Sequence, residues 1–195
     1  MFLERNPFSK DVNDHIKGIF ESDIEKLKAT GKKSDNQNSQ FTTWEKHLTK
    51  PILNQLMTKD KVSTCETSYL HRIRCTFTRR DVPNYLSKLL PFIEEELFPD
   101  KNVKSAGGFY YPPGGFMGWH TNCESPRLRF YVTYSSHANK SFFRYLNEKG
   151  EIVTDYDDKG VTLRTFNIPR KPSYFWHCAG SDCDRYSFGS RLSDK

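Results

Sequence analysis

The chain predicts an α+β fold: a double-sheet antiparallel core of the jelly-roll (double-stranded β-helix) type, buttressed by N-terminal helices. Three observations predict it. Apolar side chains recur at near-3.6 spacing in the first third of the chain, and from His71 the period falls to two. The 15 Phe, 10 Tyr and 3 Trp lie mostly in short alternating runs after residue 70, where they suit strands and pocket walls. Length fits one domain over 1–195. Residues 1–100 are expected to be mainly helical support with a strand near 71–78, and 107–192 the jelly-roll core.

Val12, Ile16, Ile19, Phe20, Ile24 and Leu27 mark an amphipathic helix over 9–30, with Ser9 or Asp11 as N-cap and Gly31 past its end. Residues 31–43 have almost nothing to bury and read as a surface loop. A second helical pattern, Trp44, Leu48, Ile52, Leu53 and Leu56, is interrupted by Pro51. A third opens at Asp81-Val82-Pro83 and runs through Leu86, Leu89, Leu90, Ile93 and Leu97, where Pro91 kinks or splits it. Ile73, Cys75 and Phe77 then mark a half-buried strand. Further strands are expected at 107–112, 128–135, 142–146, 161–168, 173–177 and 185–192. Helices placed before such a core would cover one face of its main sheet.

A net charge of +6 is spread among 24 acidic residues, so no Lys/Arg block marks a nucleic-acid footprint. A single-strand nucleic-acid reader with exposed aromatics is accordingly the weakest reading. Five cysteines form no C-x-x-C pair and fit a reducing, cytoplasmic setting better than a disulfide framework. No apolar stretch near the start could serve as a signal segment or a membrane span, so a soluble protein is expected.

The chemistry concentrates in Tyr111-Pro-Pro-Gly-Gly-Phe-Met-Gly-Trp-His120-Thr121-Asn122 and in Trp176-His177. Neutral imidazole is a good ligand for Fe(II), and two imidazoles plus a nearby side-chain oxygen is the layout of the facial triad, which leaves other coordination positions open. Two residues of strand separation would put His120 and Asn122 on one face, about 6–7 Å apart. Single histidines are more often structural, and His15, His47, His71 and His137 are read as surface or packing residues.

Residues 107–192 resemble the catalytic core of the Fe(II)/2-oxoglutarate-dependent dioxygenases, most nearly the prolyl-hydroxylase-like branch. The resemblance implies that His120 and His177 are the two His ligands and that Asn122 stands where the family has an acid. It implies that Arg185, eight residues after His177 and followed by Ser187, binds the distal carboxylate of 2-oxoglutarate, and that Tyr111 and Tyr134 contact that cosubstrate. A guanidinium fork suits a carboxylate because it stays charged and binds bidentately. Arg191 competes with Arg185 if no bulge separates their strand faces. Trp119, Arg129, Arg144 and Trp176 are candidates for the pocket mouth. The implied reaction oxidises a C–H bond of an unknown substrate with O2, converting 2-oxoglutarate to succinate and CO2. The runs 115–122 and 140–145 also resemble oxygenase-like proteins of marine bacteriophages, which would make the setting a host cytoplasm.

An amide in place of a carboxylate removes one negative charge from beside a divalent cation. Four outcomes are open: Asn122 ligates through its carbonyl oxygen; Glu124, Asp155 or Asp157 reaches in; an exogenous anion or water takes the position; or no iron is held. The last corresponds to a rival reading, a catalytically silent jelly-roll binding module that keeps the pocket without iron chemistry.

Overall fold

Period two governs the chain from residue 101 onward and sorts its side chains between two faces. A computed structural model describes residues 3–30, 44–58, 75–76, 89–123, 125–169 and 174–195. Its strands are β1 (Leu3–Arg5), β2 (Cys75–Thr76), β3 (Lys101–Tyr111), β4 (Phe116–His120), β5 (Leu128–Ser135), β6 (Ser141–Leu146), β7 (Ile152–Tyr156), β8 (Gly160–Asn167), β9 (His177–Ser181) and β10 (Arg185–Asp194). Its α-helices are α1 (Lys10–Thr30), α2 (Trp44–His47) and α3 (Lys50–Met57). All strand pairs are antiparallel: β1-β8-β5-β10-β3-β2 form the larger sheet and β4-β9-β6-β7 the smaller. Strands β3 to β10 pass repeatedly between the two sheets, which is a jelly roll.

Helix α1 starts where expected. Val12 N donates to Ser9 Oγ at 3.4 Å, so Ser9 is the N-cap. Ile16 and Phe20 are fully buried against Phe130, Val132, Val161, Leu163, Tyr186 and Phe188 of the larger sheet. At ~1.5–3 kcal/mol per buried side chain, this stripe holds the helix more than propensity does. The helical pattern from Trp44 to Leu56 is interrupted as expected: α2 ends at His47 and α3 opens at Lys50, with Pro51 in its first turn, where a residue needs no N–H. Residues 89–92 are helical, and after Pro91 the chain enters a π-turn, Ile93–Leu97, closed by Phe98 N donating to Ile93 O at 2.9 Å.

The helices do not all cover one sheet. Leu48 and Leu53, from α3 and the residues before it, pack with Phe116, Trp119, Phe142, Trp176 and Cys178 of the smaller sheet. Each sheet thus has its own outer helical layer, and the inner faces look at each other across Phe143, Phe166, Phe175 and Tyr131. The expected loop at 31–43, the opening of the third helix at 81–88 and most of the strand near 71–78 lie outside the described residues; Cys75–Thr76 pair with β3. Among the described residues no helix is long and apolar enough to cross a membrane.

Candidate metal and dicarboxylate site

Strand β4 carries the first histidine because of an irregularity. Its pairing with β9 runs Phe116↔Gly180, Met117↔Ala179, then shifts to His120↔His177. The extra residue turns Met117 and His120 to the same, inner side, while Phe116 and Trp119 enter the outer core. A bulge of this kind re-aims a side chain at the cost of one ladder position. His177 opens β9 directly opposite, and the two imidazole centroids lie 4.1 Å apart.

Backbone carbonyls fix both rings. His120 Nδ1 is 2.8 Å from Gly118 O and His177 Nδ1 is 2.8 Å from Phe175 O. A carbonyl only accepts, so each Nδ1 carries the proton and each Nε2 presents a lone pair. Burial, then the neighbouring His120, push the His177 pKa well below its ordinary value, which keeps that ring neutral, the form a metal ligand requires.

Asn122 reaches the pair by a turn and not by strand periodicity, because β4 ends at His120. It adopts φ +54°, a left-handed conformation that Asn tolerates well. Its Nδ2 donates to His177 Nε2 at 3.1 Å. A half-turn of the amide would put Oδ1 in that place, so one residue can hydrogen-bond His177 or offer an oxygen to a cation.

Two of the three carboxylates considered as replacements, Asp157 and Asp155, are committed elsewhere. Asp157 is fully buried, accepting from Arg164 Nη1 at 2.6 Å, Arg185 Nε at 2.9 Å and Ser141 Oγ at 2.5 Å. Burial alone would raise its pKa; the charges of Arg185 and Arg164 and the Ser141 hydroxyl overcome that and hold it far below the usual carboxylate range. Asp155 accepts from Arg5 and Arg164. Glu124 lies outside the described residues. No cluster of three His, Cys, Asp or Glu suited to a metal occurs among the described residues, so the donor set among them is two imidazoles and an amide.

Arg185 opens β10 on the inner face, 1% exposed, with its guanidinium 4.9 Å from the Tyr111 ring centre. Asp157 takes its Nε–H, but Nη1 is buried without a hydrogen-bond partner. Arg185, Tyr111 and Ser187 line the same pocket as His120 and His177, with Tyr131 and Phe143 on its walls. The orphaned N–H is a cost that an incoming carboxylate oxygen would remove. The space is about 30 Å³; one water needs ~10–15 Å³, so a five-carbon dicarboxylate enters only as wall side chains swing aside. Met117, whose Sδ lies 4.0 Å from Tyr111 Oη, is the most adaptable of them. By donor type, a divalent cation and a dicarboxylate both fit.

Tyr134 does not join this set. It shares its face with Phe130 and Val132, against α1, and stacks with Phe20 at 6.2 Å; period two gives the inner face of β5 to Arg129, Tyr131, Thr133 and Ser135. Tyr131 is the pocket tyrosine that sequence reading missed, since only the parity of the strand tells the two apart. Trp119 and Trp176 are buried in the outer core of the smaller sheet rather than at a mouth. Arg144 lies over Phe142 there and donates to Leu48 O and Thr154 Oγ1. Arg191 does share the Arg185 face, because the β10–β5 register is unbroken and the shift falls on the β3 side. It lies six residues further on and does not line the pocket.

No protein-family model and no curated protein sequence matches the chain. Solved structures similar to it include a prolyl-4-hydroxylase of Pseudomonas putida (TM-score 0.49, 11% identity, over 100% of this chain and 92% of that one). Another is a prolyl hydroxylase in complex with a hypoxia inducible factor peptide fragment from Trichoplax adhaerens (TM-score 0.44, 12% identity, 96% and 94%). A 2OG-Fe(II) oxygenase family oxidoreductase from Burkholderia pseudomallei matches over 63% of this chain and 62% of that one (TM-score 0.44, 11% identity). The functional reading rests on the side chains and not on these overlaps.

Proposed function

We propose that the protein is an Fe(II)- and 2-oxoglutarate-dependent oxygenase that oxidises a C–H bond of its substrate. One observation carries the reading: a single pocket holds the paired histidines, their Nδ1 protons tied to carbonyls, and a buried guanidinium with an unpartnered N–H. His120, His177 and Asn122 Oδ1 would hold the metal; Arg185, with Ser187 and Tyr111 beside it, would hold the distal carboxylate. When bound, ferrous iron with 2-oxoglutarate and O2 supplies the oxidising power, at the expense of decarboxylation to succinate. The chain's own part is positional. Gly118 O and Phe175 O fix the ring planes, Asp157 holds the Arg185 fork, and Tyr131 and Phe143 keep water from the pocket.

A second reading, a binding module without iron chemistry, is favoured by one contact: the Asn122 amide already satisfies the His177 lone pair. Anaerobic titration with Fe(II) and 2-oxoglutarate, followed by succinate release in air, separates the two. The oxygenase reading expects ferrous binding by the native chain, tighter binding in Asn122→Asp, and loss of 2-oxoglutarate binding in Arg185→Gln but not Arg191→Gln. Binding that appears only in Asn122→Asp would establish the silent module instead.

A further inference from the structure

The larger sheet carries a second set of cations on its inner face, beyond the pocket. Lys104 of β3, Arg191 of β10 and Arg129 of β5 are in register, Lys104↔Arg191 and Arg191↔Arg129. Their neighbours Val103, Leu192, Leu128 and Phe130 belong to the core under α1, so period two puts all three basic residues on the inner face, with Arg129 buried, Arg191 half-buried and Lys104 exposed. Like charges placed directly opposite across strands are destabilising.

Nothing among the described residues compensates them. Arg185 and Arg164 are balanced by Asp157 and Asp155, but among the described residues no ion pair reaches Lys104, Arg129 or Arg191. Arg129 is 4% exposed and donates one Nη to Ser125 O at 2.8 Å; Arg191 donates one to Ser105 O at 3.2 Å. The Nε–H of each is buried without a partner. Burial, then the charges of Arg191 and Arg127, weaken the hold of Arg129 on its proton. Guanidinium donors that are buried and unmet, with no counter-charge among the described residues, are unfavourable and become favourable once an oxyanion joins them.

The position gives that anion a purpose. Tyr131 and Gly189, which line the histidine pocket, are the next inward residues after Arg129 and Arg191, one pleat repeat or ~7 Å along the strands. Arg129 is near enough to His177 to oppose its protonation.

We propose that Lys104, Arg191 and Arg129 form an oxyanion-binding row beside the His120–His177 pair, and that the substrate carries a carboxylate or phosphate held there. As a statement about substrate this rests on the oxygenase reading; as a statement about anion binding it stands without it. The test therefore uses the chain with no metal and no 2-oxoglutarate, titrated calorimetrically with phenyl phosphate and with benzoate. Saturable binding of either is expected, and whichever binds names the anion. Affinity should fall at least tenfold in Arg191→Gln, fall in the exposed-site variant Lys104→Gln, and persist in Arg185→Gln. Without ligand, Arg191→Gln should melt no lower than the native chain, since it relieves repulsion; a purely structural arginine would lower the melting temperature. The proposal is overturned if neither probe saturates, if Lys104→Gln and Arg191→Gln bind as the native chain does, or if Arg185→Gln loses binding as fully as Arg191→Gln.

Discussion

Asp157→Asn changes little in shape and removes the one charge that two buried guanidinium groups share. Asp157 is 0% exposed and Arg164 and Arg185 are each 1% exposed. Arg164 keeps Asp155 as a partner; Arg185 is left with none among the described residues. Breaking a buried pair by removing one member costs ~3–5 kcal/mol, because the other charge stays in a low-dielectric site. At ~2–4 °C per kcal/mol for a chain of this size, the melting temperature at pH 7 should fall by roughly 6–20 °C. The pH dependence has a definite sign. The folded pKa of Asp157 is depressed, so its contribution is present above the unfolded value of ~3.9 and fades as pH drops below it. The gap between native and variant should thus be full at pH 7 and close in acid. Adding 2-oxoglutarate should raise the melting temperature of the variant more than that of the native chain, since the orphaned Arg185 then gains its only counter-charge. Circular dichroism melts at constant ionic strength measure all three effects. A fall of less than ~3 °C at pH 7 would mean that water or relaxation already screens the pair, and the reasoning from a dry ion network would be wrong.

Gly189→Ala should damage the pocket wall: a Cβ there would lie 2.7 Å from Tyr131 Cε1 and 3.2 Å from its Cδ1. That crowding should cost ~1–3 kcal/mol in urea unfolding and weaken 2-oxoglutarate binding as the Tyr131 ring is displaced; native behaviour in both assays would remove Tyr131 from the pocket. Tyr134→Phe should leave 2-oxoglutarate affinity within about twofold, or ~0.4 kcal/mol, because its ring faces α1. A larger loss in calorimetry would place that ring in the site after all.

The fold was legible where periodicity was clean. Val12, Ile16 and Phe20 mark α1, and alternation marks β5, β8 and β10. It failed where regular spacing failed. β4 was not among the expected strands: Pro112-Pro113-Gly114-Gly115 precedes it, and its bulge puts Met117 and His120, three residues apart, on one face. The edge strands β1 and β7 are short and carry little apolar alternation. Within the site, the histidines and Arg185 were legible as residue types in order. The choice of Tyr131 over Tyr134 was not, since a one-residue change of parity exchanges the faces of a strand. Sequence alone leaves Asp157 open as one of three carboxylates that could take the acid's place; that it is consumed by Arg164 and Arg185 depends on contacts among three separate segments.

Charge along the inner face explains why Asn122 matters. At the Arg185 end, two arginines meet two aspartates and cancel. In the middle, His120, His177 and Asn122 bring no formal charge. At the other end, Lys104, Arg191 and Arg129 bring three positive charges that no ion pair among the described residues balances. A divalent cation entering this interior alone meets neutral ligands and a positive flank, so the chain by itself should hold Fe(II) weakly. An anion on Arg185 or on the basic row reverses the sign of that field. Anaerobic ferrous titrations should therefore show affinity rising at least ~10-fold, about 1.4 kcal/mol, when 2-oxoglutarate is present. By linkage, iron must raise 2-oxoglutarate affinity by the same factor. Asn122→Asp supplies the missing negative charge from the protein and should bind iron more tightly alone while showing a smaller coupling. Equal ferrous affinity with and without 2-oxoglutarate in the native chain would refute this account, because among the described residues a neutral ligand set in a positive cleft has no other local source of charge balance.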